Sequence, residues 1–373
     1  MTSQIRTIKA SCLCGSAQHE ITLPSSDLPM NARLCHCNTC RHMTGTLCFT
    51  AALPPKHYTP AQSLIDKLQA FRQTERIIQY FCPICGTHML GHVLEDGGKP
   101  DGPRYWDLMT GTLDQAEGVF ETSAHIFIED TLDGGFGDFV GAIADKPIER
   151  WPLGLHVGEQ LPHYWQSPTK PDVEPSQSDK LHAHCKCGGV SFYIARPTAR
   201  SALGTAGWPD VLIPFNSELP LPPDEAWWIR DGGKKFLGGF CACDSCRLAA
   251  GMEWVEWAFV PTVDITLDVE GNIPLSLESG TLKPYRSSKR ATRYFCGTCG
   301  ANVFWNGDER PQVIDVAVGL LDAPEGSRAE SWLDWRTQRL SFREDAVPRA
   351  KSLTHAVEAG LAAHEKGSQG SVK

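Results

Sequence analysis

The sequence predicts a mainly β protein built from two tandem domains of the same design, with a helix at the C-terminal end. Three observations support this prediction. A three-part cysteine pattern occurs twice along the 373 residues. Short segments with apolar residues at every second position are punctuated by glycine and proline, which is typical of antiparallel strands. The last segment instead has apolar residues at four-residue steps, which is typical of a helix.

The repeat also places the domain boundaries. We predict a first domain over residues 1–166, a linker over 167–180 and a second domain over 181–373. The linker is rich in proline and polar residues and cannot form a packed core. The second domain carries an insertion at about 200–236, rich in tryptophan and proline. This insertion could cover a site in the second domain or contact the first domain, and the sequence does not decide between the two.

Strands are predicted where apolar residues alternate with polar or small ones. Val190, Phe192 and Ile194 alternate in this way directly after a cysteine pair. Three further segments are short and β-prone: 77–81, 124–128 and 313–318. We therefore expect mainly antiparallel sheet, with the cysteine pairs at the turns.

The C-terminal helix is predicted from a single stripe of apolar residues. Leu353, Val357 and Leu361 follow one another at four-residue steps within residues 349–364. Residues at this spacing share one face of a helix, so the segment is expected to be amphipathic.

Charge and composition exclude several classes of protein. The net charge of −9 argues against a broad nucleic-acid-binding surface, which is normally basic. The N-terminal region has no apolar run long enough for a signal peptide or a membrane span. Reduced cysteines at metal-binding spacing then indicate the cytoplasm. We expect small-molecule partners, no nucleic acid and no membrane, and the sequence leaves the oligomeric state open.

Fourteen of the fifteen cysteines belong to the order C-x-C-G, C-x-C-x-x-C-R, F-C-x-x-C-G. The first copy contains Cys12, Cys14, Cys35, Cys37, Cys40, Cys82 and Cys85. The second copy contains Cys185, Cys187, Cys241, Cys243, Cys246, Cys296 and Cys299. The tight spacings predict zinc, about two ions per domain. The odd total disfavours a disulfide framework, and the absence of a ferredoxin spacing disfavours iron–sulfur clusters.

Seven thiols per copy are one short of the eight that two closed four-thiolate sites need. Pairing C-x-C with the distant C-x-x-C uses four and connects the start of each repeat to its middle. The glycine after each C-x-x-C, Gly86 or Gly300, suits the left-handed residue that such a turn often needs. The remaining C-x-C-x-x-C supplies three thiolates, which leaves one coordination position open, as in catalytic zinc centres.

The open position could hold water or a substrate thiol, or a protein side chain could close it. A zinc-bound thiol is deprotonated at neutral pH and becomes a nucleophile or a good leaving group. Cys48, His36 and His42 are the candidates for a closing ligand in the first copy. Their counterparts in the second copy cannot bind zinc: Trp254, Ala242 and Leu248. If both copies share one design, the position is open in both.

At this point the sequence resembles the family of glutathione-dependent formaldehyde-activating enzymes, which shares its domain with centromere protein V. The cysteine order carries the resemblance. Residues 106–114 and 125–127 also match the family's later W-D-x-x-x-G-T-L-D and H-I-F segments. The second copy matches again at 314–322, whereas Ser331–Trp335 stands where H-I-F is expected.

The resemblance implies a β-tent fold and a carbon–sulfur lyase, with glutathione as the thiol and formaldehyde or another small carbonyl as its partner. It assigns the structural zinc sites to Cys12, Cys14, Cys82 and Cys85 and to Cys185, Cys187, Cys296 and Cys299. It assigns the catalytic, more labile sites to Cys35, Cys37 and Cys40 and to Cys241, Cys243 and Cys246. The thiolate would add to the carbonyl to give a hemithioacetal, or the reverse reaction would release it.

Other side chains have a functional and a structural interpretation. Arg41 and Arg247 follow the third cysteine of each set, and could hold a glutathione carboxylate or form a structural ion pair or cap. Asp107 and Asp315 occupy matching places in the β-segments, and could orient a substrate amine or a zinc-bound water or have a structural role at the strand edge. His125 could be a general base, although a single histidine on a β-segment is more often a core residue.

Two rival functions remain open. The chain could be a zinc-stabilised binding module without chemistry, although it lacks the basic tail or patch expected of one. One copy could also be catalytic and the other structural, with the first copy the expected catalytic one because the second has the changed H-I-F segment and the insertion.

Overall fold

The computed structural model describes residues 4–94, 105–172, 179–204, 206–215, 217–218 and 226–370. The first copy is the part up to Gln166 and the second copy is the part from Lys180. Part of the expected linker and part of the insertion lie outside the described residues. Among the residues that are described, no helix is both long and apolar enough to span a bilayer.

Each copy consists mainly of strands. Those of the first copy are β1 Ile5–Ser11, β2 Gln18–Pro24, β3 Met30–Cys35, β4 Phe49–Leu53, β5 Gln69–Arg72, β6 Ile77–Phe81, β7 His88–Val93, β8 Tyr105–Met109, β9 Phe120–Ile126, β10 Ala142–Ile143, β11 Lys146–Pro147 and β12 Glu149–Arg150. Those of the second are β13 Lys180–His184, β14 Ser191–Ala195, β15 Ile229–Arg230, β16 Lys235–Cys241, β17 Val255–Pro261, β18 Ile265–Thr266, β19 Leu282–Ser288, β20 Ala291–Cys296, β21 Asn302–Gly307, β22 Val313–Ala317 and β23 Leu333–Trp335.

In the residues that the structure describes, four α-helices accompany the strands: α1 Asn38–Thr44, α2 Gln62–Ile65, α3 Asp244–Ala250 and α4 Arg343–Gly370. Short 3-10 turns lie at Ser25–Asp27, Thr110–Thr112, Ile128–Thr131, Gly135–Phe139, Ala199–Leu203, Asp231–Gly233, Thr262–Asp264 and Val318–Leu320. The predicted class, mainly β with two similar halves and a C-terminal helix, is confirmed.

Seven strands of the two main sheets follow the same order, and among the described strands only β12 and β15 lack a counterpart in the other sheet. The first sheet runs β12-β9-β3-β4-β8-β7-β6-β5, and the second runs β15-β16-β17-β22-β21-β20-β19 with β23 also paired to β16. In both, a late strand (β9 or β23) lies parallel to the strand that ends in the first cysteine of C-x-C-x-x-C. The central pairs are antiparallel. A small hairpin outside the main sheet, β1-β2 or β13-β14, carries the C-x-C-G motif at or near its turn, and in the second copy β14 also pairs with β18.

The apolar residues alternate along the hairpin strands because one face of each hairpin is buried. In β14, Phe192 and Ile194 are buried, whereas the residues beside them are not. All residues of β17 and β22 are buried, as expected for strands with both faces covered.

The expected counterpart of the H-I-F segment is wrong. Ser331–Trp335 overlaps β23, and Trp335 of this strand pairs with Gly238. The equivalent pair in the first copy is Thr122 with Ala32, so Trp335 matches Thr122 and lies before the H-I-F position. The backbone of Ser341, not Trp335, accepts the Ala242 N–H (2.9 Å), as Ile126 accepts the His36 N–H (2.9 Å). Ser341 follows Trp335 by six residues, whereas Ile126 follows Thr122 by four, so the second copy contains two extra residues here.

The true counterpart of H-I-F is therefore Leu340-Ser341-Phe342. The backbone supports this alignment, since Phe127 and Phe342 both have positive φ (59° and 53°). A carboxylate three residues later accepts the first N–H of the knuckle helix in each copy. The Asn38 N–H of α1 donates to Asp130 Oδ2 (3.0 Å), and the Asp244 N–H of α3 donates to Asp345 Oδ2 (3.4 Å). The histidine is absent from the second copy because Leu340 occupies its place.

The two copies pack against each other about a pseudo-twofold axis. Helices α1 and α3 each end in a left-handed glycine, Gly45 (φ 77°) and Gly251 (φ 75°), which lies against the other copy. The Gly45 carbonyl accepts the Gly319 N–H (3.0 Å), and the Gly251 carbonyl accepts the Gly111 N–H (3.1 Å). A Cβ at either cap would lie 2.1 Å from a carbonyl oxygen of the opposite copy, so only glycine fits.

Aromatic side chains extend this interface into a core shared by both copies. Phe136 of the first copy stacks on Trp254 of the second, with ring centroids 4.5 Å apart. Phe139 meets Phe240 edge to face at 4.9 Å. The copies are therefore held together by buried apolar surface as well as by backbone hydrogen bonds.

Helix α4 belongs to the second copy but covers the first. Leu353, Val357 and Leu361 are buried, so the predicted apolar stripe is confirmed. The helix is interrupted at Ala350 (φ −139°, ψ 54°), two residues after Pro348, which cannot donate to the helix. At this interruption the Arg349 carbonyl accepts the Ala116 N–H of the first copy (3.1 Å).

Glu256 is an ionisable group buried in the interface between the copies. Its Oε2 accepts the Leu47 N–H from the opposite copy (2.8 Å). Burial raises the pKa of Glu256 to about 8. In the unfolded chain this pKa is about 4.3. Between these values the folded protein holds a proton that the unfolded chain has released, so Glu256 makes stability fall as pH rises.

We predict that Glu256→Gln removes this pH dependence. Glutamine keeps an oxygen for the Leu47 N–H but does not titrate, so the variant gains stability relative to the natural protein as pH rises from about 5 to 8, by at most about 1.4 kcal/mol per pH unit. Urea unfolding of both proteins across this interval measures the difference. Parallel stability–pH curves for the two proteins would contradict the prediction.

Candidate metal centres

All fifteen cysteines are free thiols, and fourteen of them gather into four clusters. The first contains Cys12 and Cys14, from the turn between β1 and β2, and Cys82 and Cys85, from the turn after β6. The sulfurs of Cys12 and Cys14 are 3.5 Å apart, and those of Cys14 and Cys82 are 3.6 Å apart. The cluster joins the small hairpin to the main sheet.

The second four-cysteine cluster repeats the first. Cys185 and Cys187 follow β13, whereas Cys296 ends β20 and Cys299 lies in the turn after it. The Cys187 sulfur lies 3.5 Å from that of Cys185 and 3.4 Å from that of Cys296. Tetrahedral zinc with Zn–S bonds of about 2.3 Å requires sulfurs about 3.8 Å apart, so both clusters fit zinc with small adjustments.

Backbone groups support these sulfurs. The Ala17 N–H donates to Cys12 Sγ, and the Val190 N–H donates to Cys185 Sγ, each at 3.3 Å. Such donors stabilise the thiolate form that binds metal. Gly86 (φ 82°) and Gly300 (φ 81°) have the left-handed conformation that was expected of them.

The two remaining clusters contain three cysteines each. The first of the three ends β3 or β16, the second caps α1 or α3, and the third lies in the first turn of that helix. In the first copy the Cys37 sulfur accepts the Cys40 N–H (3.3 Å) and lies 3.6 Å from the Cys35 sulfur. In the second, the Cys243 sulfur accepts the Cys246 N–H (3.2 Å). The helix start thus shapes the knuckle in both copies.

Within the described part of the chain, no fourth histidine, cysteine or carboxylate donor joins either three-cysteine cluster. Cys48 is buried elsewhere, and burial raises the pKa of its thiol well above the usual value. His36 Nε2 is 2.9 Å from His125 Nδ1, so the two rings form a pair. His42 faces Asp322 of the other copy. The three candidate closing ligands therefore have other partners or positions.

The second three-cysteine cluster lines a cavity of about 370 Å³. Aromatic side chains form much of its wall: Trp208, Phe215, Phe240, Trp257, Phe259, Trp305 and Phe342. Trp208 and Phe215 belong to the insertion, which therefore covers the second site. The other main cavities formed by the described residues do not reach Cys35, Cys37 or Cys40.

Charge also differs between the two clusters. Arg293 is buried and its Nη2 donates to the Cys246 sulfur (3.3 Å) and to Ser245 Oγ (3.0 Å). Hydrogen bonds from Cys241 and Cys243, with the Arg293 charge, hold the pKa of Cys246 well below its ordinary value. Among the described residues, the Nε and Nη1 of Arg293 have no hydrogen-bond partner.

Neutral amides take the place of this arginine in the first copy. Strand register puts Gln79 where the second copy has Arg293, and Gly91 where it has Trp305. Gln79 donates to Gln73 Oε1 (2.9 Å), and Gln73 donates to the Cys40 sulfur (3.4 Å). Hydrogen bonds within the cluster, the largest from Cys35, lower the pKa of Cys37 to about 3. At this strand position the first copy therefore has no arginine that could donate to the cluster sulfurs.

The guanidinium groups of Arg41 and Arg247 lie in the interface between the copies. Arg41 Nη1 donates to the carbonyls of Gly319 (3.0 Å) and Leu321 (2.6 Å). Arg247 Nη1 donates to the pseudo-equivalent carbonyls of Gly111 and Leu113. Both side chains are buried, so these contacts favour the structural interpretation over glutathione binding.

Two of the other candidates, Asp315 and His125, have structural partners. Asp315 forms a two-pronged ion pair with Arg310 (2.5 and 3.0 Å) at the wall of the cavity. Asp107 occupies the equivalent position, and burial raises its pKa to about 7. His125 is fully buried and its Nε2 donates to the Val140 carbonyl (2.7 Å), which favours a core role.

Sequence reasoning missed Arg293, Gln73 and Gln79. Arg293 lies three residues before Cys296 on an alternating strand, and Gln79 lies three residues before Cys82. The available signal was this position on the strand that leads into C-x-x-C, because the alternation of the strand places its side chain on the buried face.

Comparison with known proteins agrees with this arrangement. The family model described as "Glutathione-dependent formaldehyde-activating enzyme" matches residues 7–130 and 232–336. A protein of Podospora anserina, named as a candidate glutathione-dependent formaldehyde-activating enzyme, is 28% identical over 152 residues, which cover 40% of this chain and 67% of that protein. The two matched segments contain both three-cysteine clusters, and together they span more than half of the chain. The chain therefore belongs to the family of glutathione-dependent formaldehyde-activating enzymes.

Proposed function

We propose that this protein is a zinc-dependent carbon–sulfur lyase that joins or separates glutathione and a small carbonyl compound such as formaldehyde, and that its chemistry takes place at the second three-cysteine cluster. The observation that carries this proposal is the position of that cluster at a cavity of about 370 Å³. Small-molecule sites commonly have volumes in this range, about 300–1,000 Å³. Membership of the family and the name of the Podospora relative support glutathione and formaldehyde as substrates.

Zinc is the metal that best suits this set of sulfur donors. Cys241, Cys243 and Cys246 would hold one ion, and Cys35, Cys37 and Cys40 would hold a second. The four-cysteine clusters would hold two more, whose role is structural. Zinc with three thiolates supplies a centre that keeps a bound thiol deprotonated at neutral pH.

Arg293 would serve the reaction through charge. Its guanidinium offsets the negative charge of the three sulfurs. Its unpaired Nε and Nη1 donors could stabilise an oxygen that gains negative charge. As a thiolate sulfur bonds to the carbonyl carbon, the C=O π electrons move to oxygen, which then takes a proton from solvent. In the reverse direction the hydroxyl loses its proton, the C–S bond breaks and the thiolate leaves.

The aromatic wall would position the substrate and restrict water. Trp305 lies beneath Arg310, whose guanidinium carbon is 4.5 Å from the ring centroid. The Arg310–Asp315 ion pair holds that guanidinium in place. The cavity also contains the Cys246 sulfur with the Arg293 guanidinium beside it, so a thiol and a carbonyl carbon are expected to meet there.

The proposal predicts unequal effects of matched serine substitutions. Cys243→Ser should slow turnover about 100-fold or more, whereas Cys37→Ser should retain most of it. Serine can still accept the helix N–H at each position, so α3 and α1 should remain folded. The rate of S-hydroxymethylglutathione formation above the spontaneous rate, followed by NMR exchange, measures this. Full activity of Cys243→Ser would overturn the assignment of the reaction to the second cluster.

Arg293→Gln, which copies the residue of the first cluster, should lower kcat/KM about 10- to 100-fold. The reason is the loss of charge-assisted hydrogen bonds worth about 1.5–3 kcal/mol. Gln79→Ala, the matched change in the first copy, should leave the rate unchanged. Equal rates for the natural protein and Arg293→Gln would show that the guanidinium has no part in the reaction.

Zinc content should distinguish the two kinds of cluster. We expect about four zinc ions per chain, with excess glutathione perturbing the three-cysteine sites only. Cys296→Ser should lose one ion and unfold the second copy, because structural zinc contributes on the order of 10 kcal/mol to folding. Cys243→Ser should also lose one ion but keep a cooperative thermal transition. Elemental analysis and calorimetry measure both, and four ions indifferent to glutathione would favour a zinc-stabilised binding module instead.

A further inference from the structure

A group of ligand-type side chains lies in the interface between the copies, apart from every cysteine cluster. His42 comes from α1 of the first copy, and His184 and Asp322 come from the second. The Asp322 carboxylate lies 3.0 Å from His42 Nε2 and 2.8 Å from His184 Nε2. The ligand-type atoms of the three side chains all lie within 4.8 Å of one another.

The hydrogen bonds of both rings direct Nε2 toward Asp322. His42 Nδ1 donates to the His184 carbonyl (2.7 Å), and His184 Nδ1 donates to the Cys185 carbonyl (3.0 Å). A neutral imidazole whose proton is on Nδ1 presents a lone pair at Nε2. Metal-binding histidines commonly have this arrangement, in which the second nitrogen is fixed by a backbone carbonyl.

A third histidine stands beside the group. His182 and His184 are two residues apart on β13, so both project from the same face of the strand. His182 Nε2 is 2.9 Å from Ser191 Oγ, and its Nδ1 is 3.7 Å from the Asp322 carboxylate. This ring is about one-third exposed (37%) and stands beside the group, where it could supply a fourth donor.

The group is accessible from solvent. Asp322 lines an open cavity of about 250 Å³, together with Asn38, Arg41 and Asp130. The carboxylate of Asp322 and the ring of His184 are each about one-third exposed, 36% and 32%. An ion could therefore enter without unfolding of the interface.

We propose that His42, His184 and Asp322 bind a divalent transition-metal ion, most suitably zinc, with His182 or water as the fourth ligand. Two imidazoles and one carboxylate form a donor set that binds zinc and related ions. The site differs in chemistry from the thiolate clusters and does not depend on the function proposed above. Because its ligands come from both copies, the ion would hold the copies together.

Arg41 sets a limit on the affinity of this site. Its Nη2 lies 3.8 Å from Asp322 Oδ1 and 3.3 Å from His42 Nε2. A guanidinium at this distance repels a bound cation. The site is therefore weaker than the thiolate clusters, and its ion exchanges under conditions in which theirs do not.

The pseudo-twofold relation supplies an internal control. The positions equivalent to His184, His42 and Asp322 are Ser11, Leu248 and Asp114. Asp114 and Asp322 are matched, since their N–H groups donate to the carbonyls of Lys9 and His182 (2.9 Å each). The described part of the chain thus contains one such group and one equivalent place that lacks the histidines.

The experiment is a Co²⁺ titration of the full-length zinc-loaded protein after dialysis against a mild chelator. We expect one added equivalent with visible d–d bands and without the ultraviolet thiolate-to-cobalt charge-transfer bands that a cysteine site would give. Asp322→Asn and His184→Gln should each weaken binding about tenfold or more, whereas Asp114→Asn should not change it. Zn²⁺ should compete with the bound Co²⁺.

Three results would overturn the proposal. Cobalt that appears only with thiolate charge-transfer bands would belong to the cysteine clusters. An absence of added cobalt would show that the group is an ion pair only. Equal affinity of Asp322→Asn and Asp114→Asn would show that Asp322 is not a ligand. Circular dichroism of each variant checks that the fold is kept, and His184→Gln provides the second measurement if Asp322→Asn fails to fold.

Discussion

The rest of the structure depends on the contact of each knuckle helix with the opposite copy. Helix α1 or α3 begins inside a three-cysteine cluster, and its arginine and its terminal glycine bind the backbone of the other copy. The same short helix therefore shapes a metal cluster at one end and joins the copies at the other. A buried guanidinium without its carbonyl acceptors would cost several kcal/mol, so the knuckle and the interface must form together.

This coupling explains which features are paired across the two copies and which are not. Arg41 and Arg247 occupy matched positions, and so do Gly45 and Gly251, because any change there would break the shared interface. The residues that surround the open side of each cluster are not under that constraint. There the first copy has two neutral amides and the second has a buried arginine, an aromatic wall and a cavity.

The sequence was sufficient for features that depend on local spacing. The alternation around Phe192, the stripe of Leu353 and its partners, and the left-handed glycines after C-x-x-C are all set by residues close in the chain. It was insufficient where partners are distant. Arg293 could not be placed on Cys246 without the register of β20, and the Arg41 carbonyl acceptors lie about 280 residues away. The expected H-I-F counterpart was wrong because the second copy has two extra residues before this segment. Strand pairing reveals this insertion, whereas the sequence motifs alone do not.

None of the main cavities formed by the described residues reaches the first three-cysteine cluster, yet this cluster also supports the fold. Cys37 caps α1, and α1 carries the arginine and glycine that hold the second copy in place. The first cluster therefore contributes to the position of the second whether or not it meets a substrate. The second copy in turn contributes to both halves of the protein. Its helix α4 covers part of the first copy, and its insertion covers the cavity of the second cluster. These contacts fit a division of labour within one chain, in which the first copy supplies support and the second supplies the proposed reactive site.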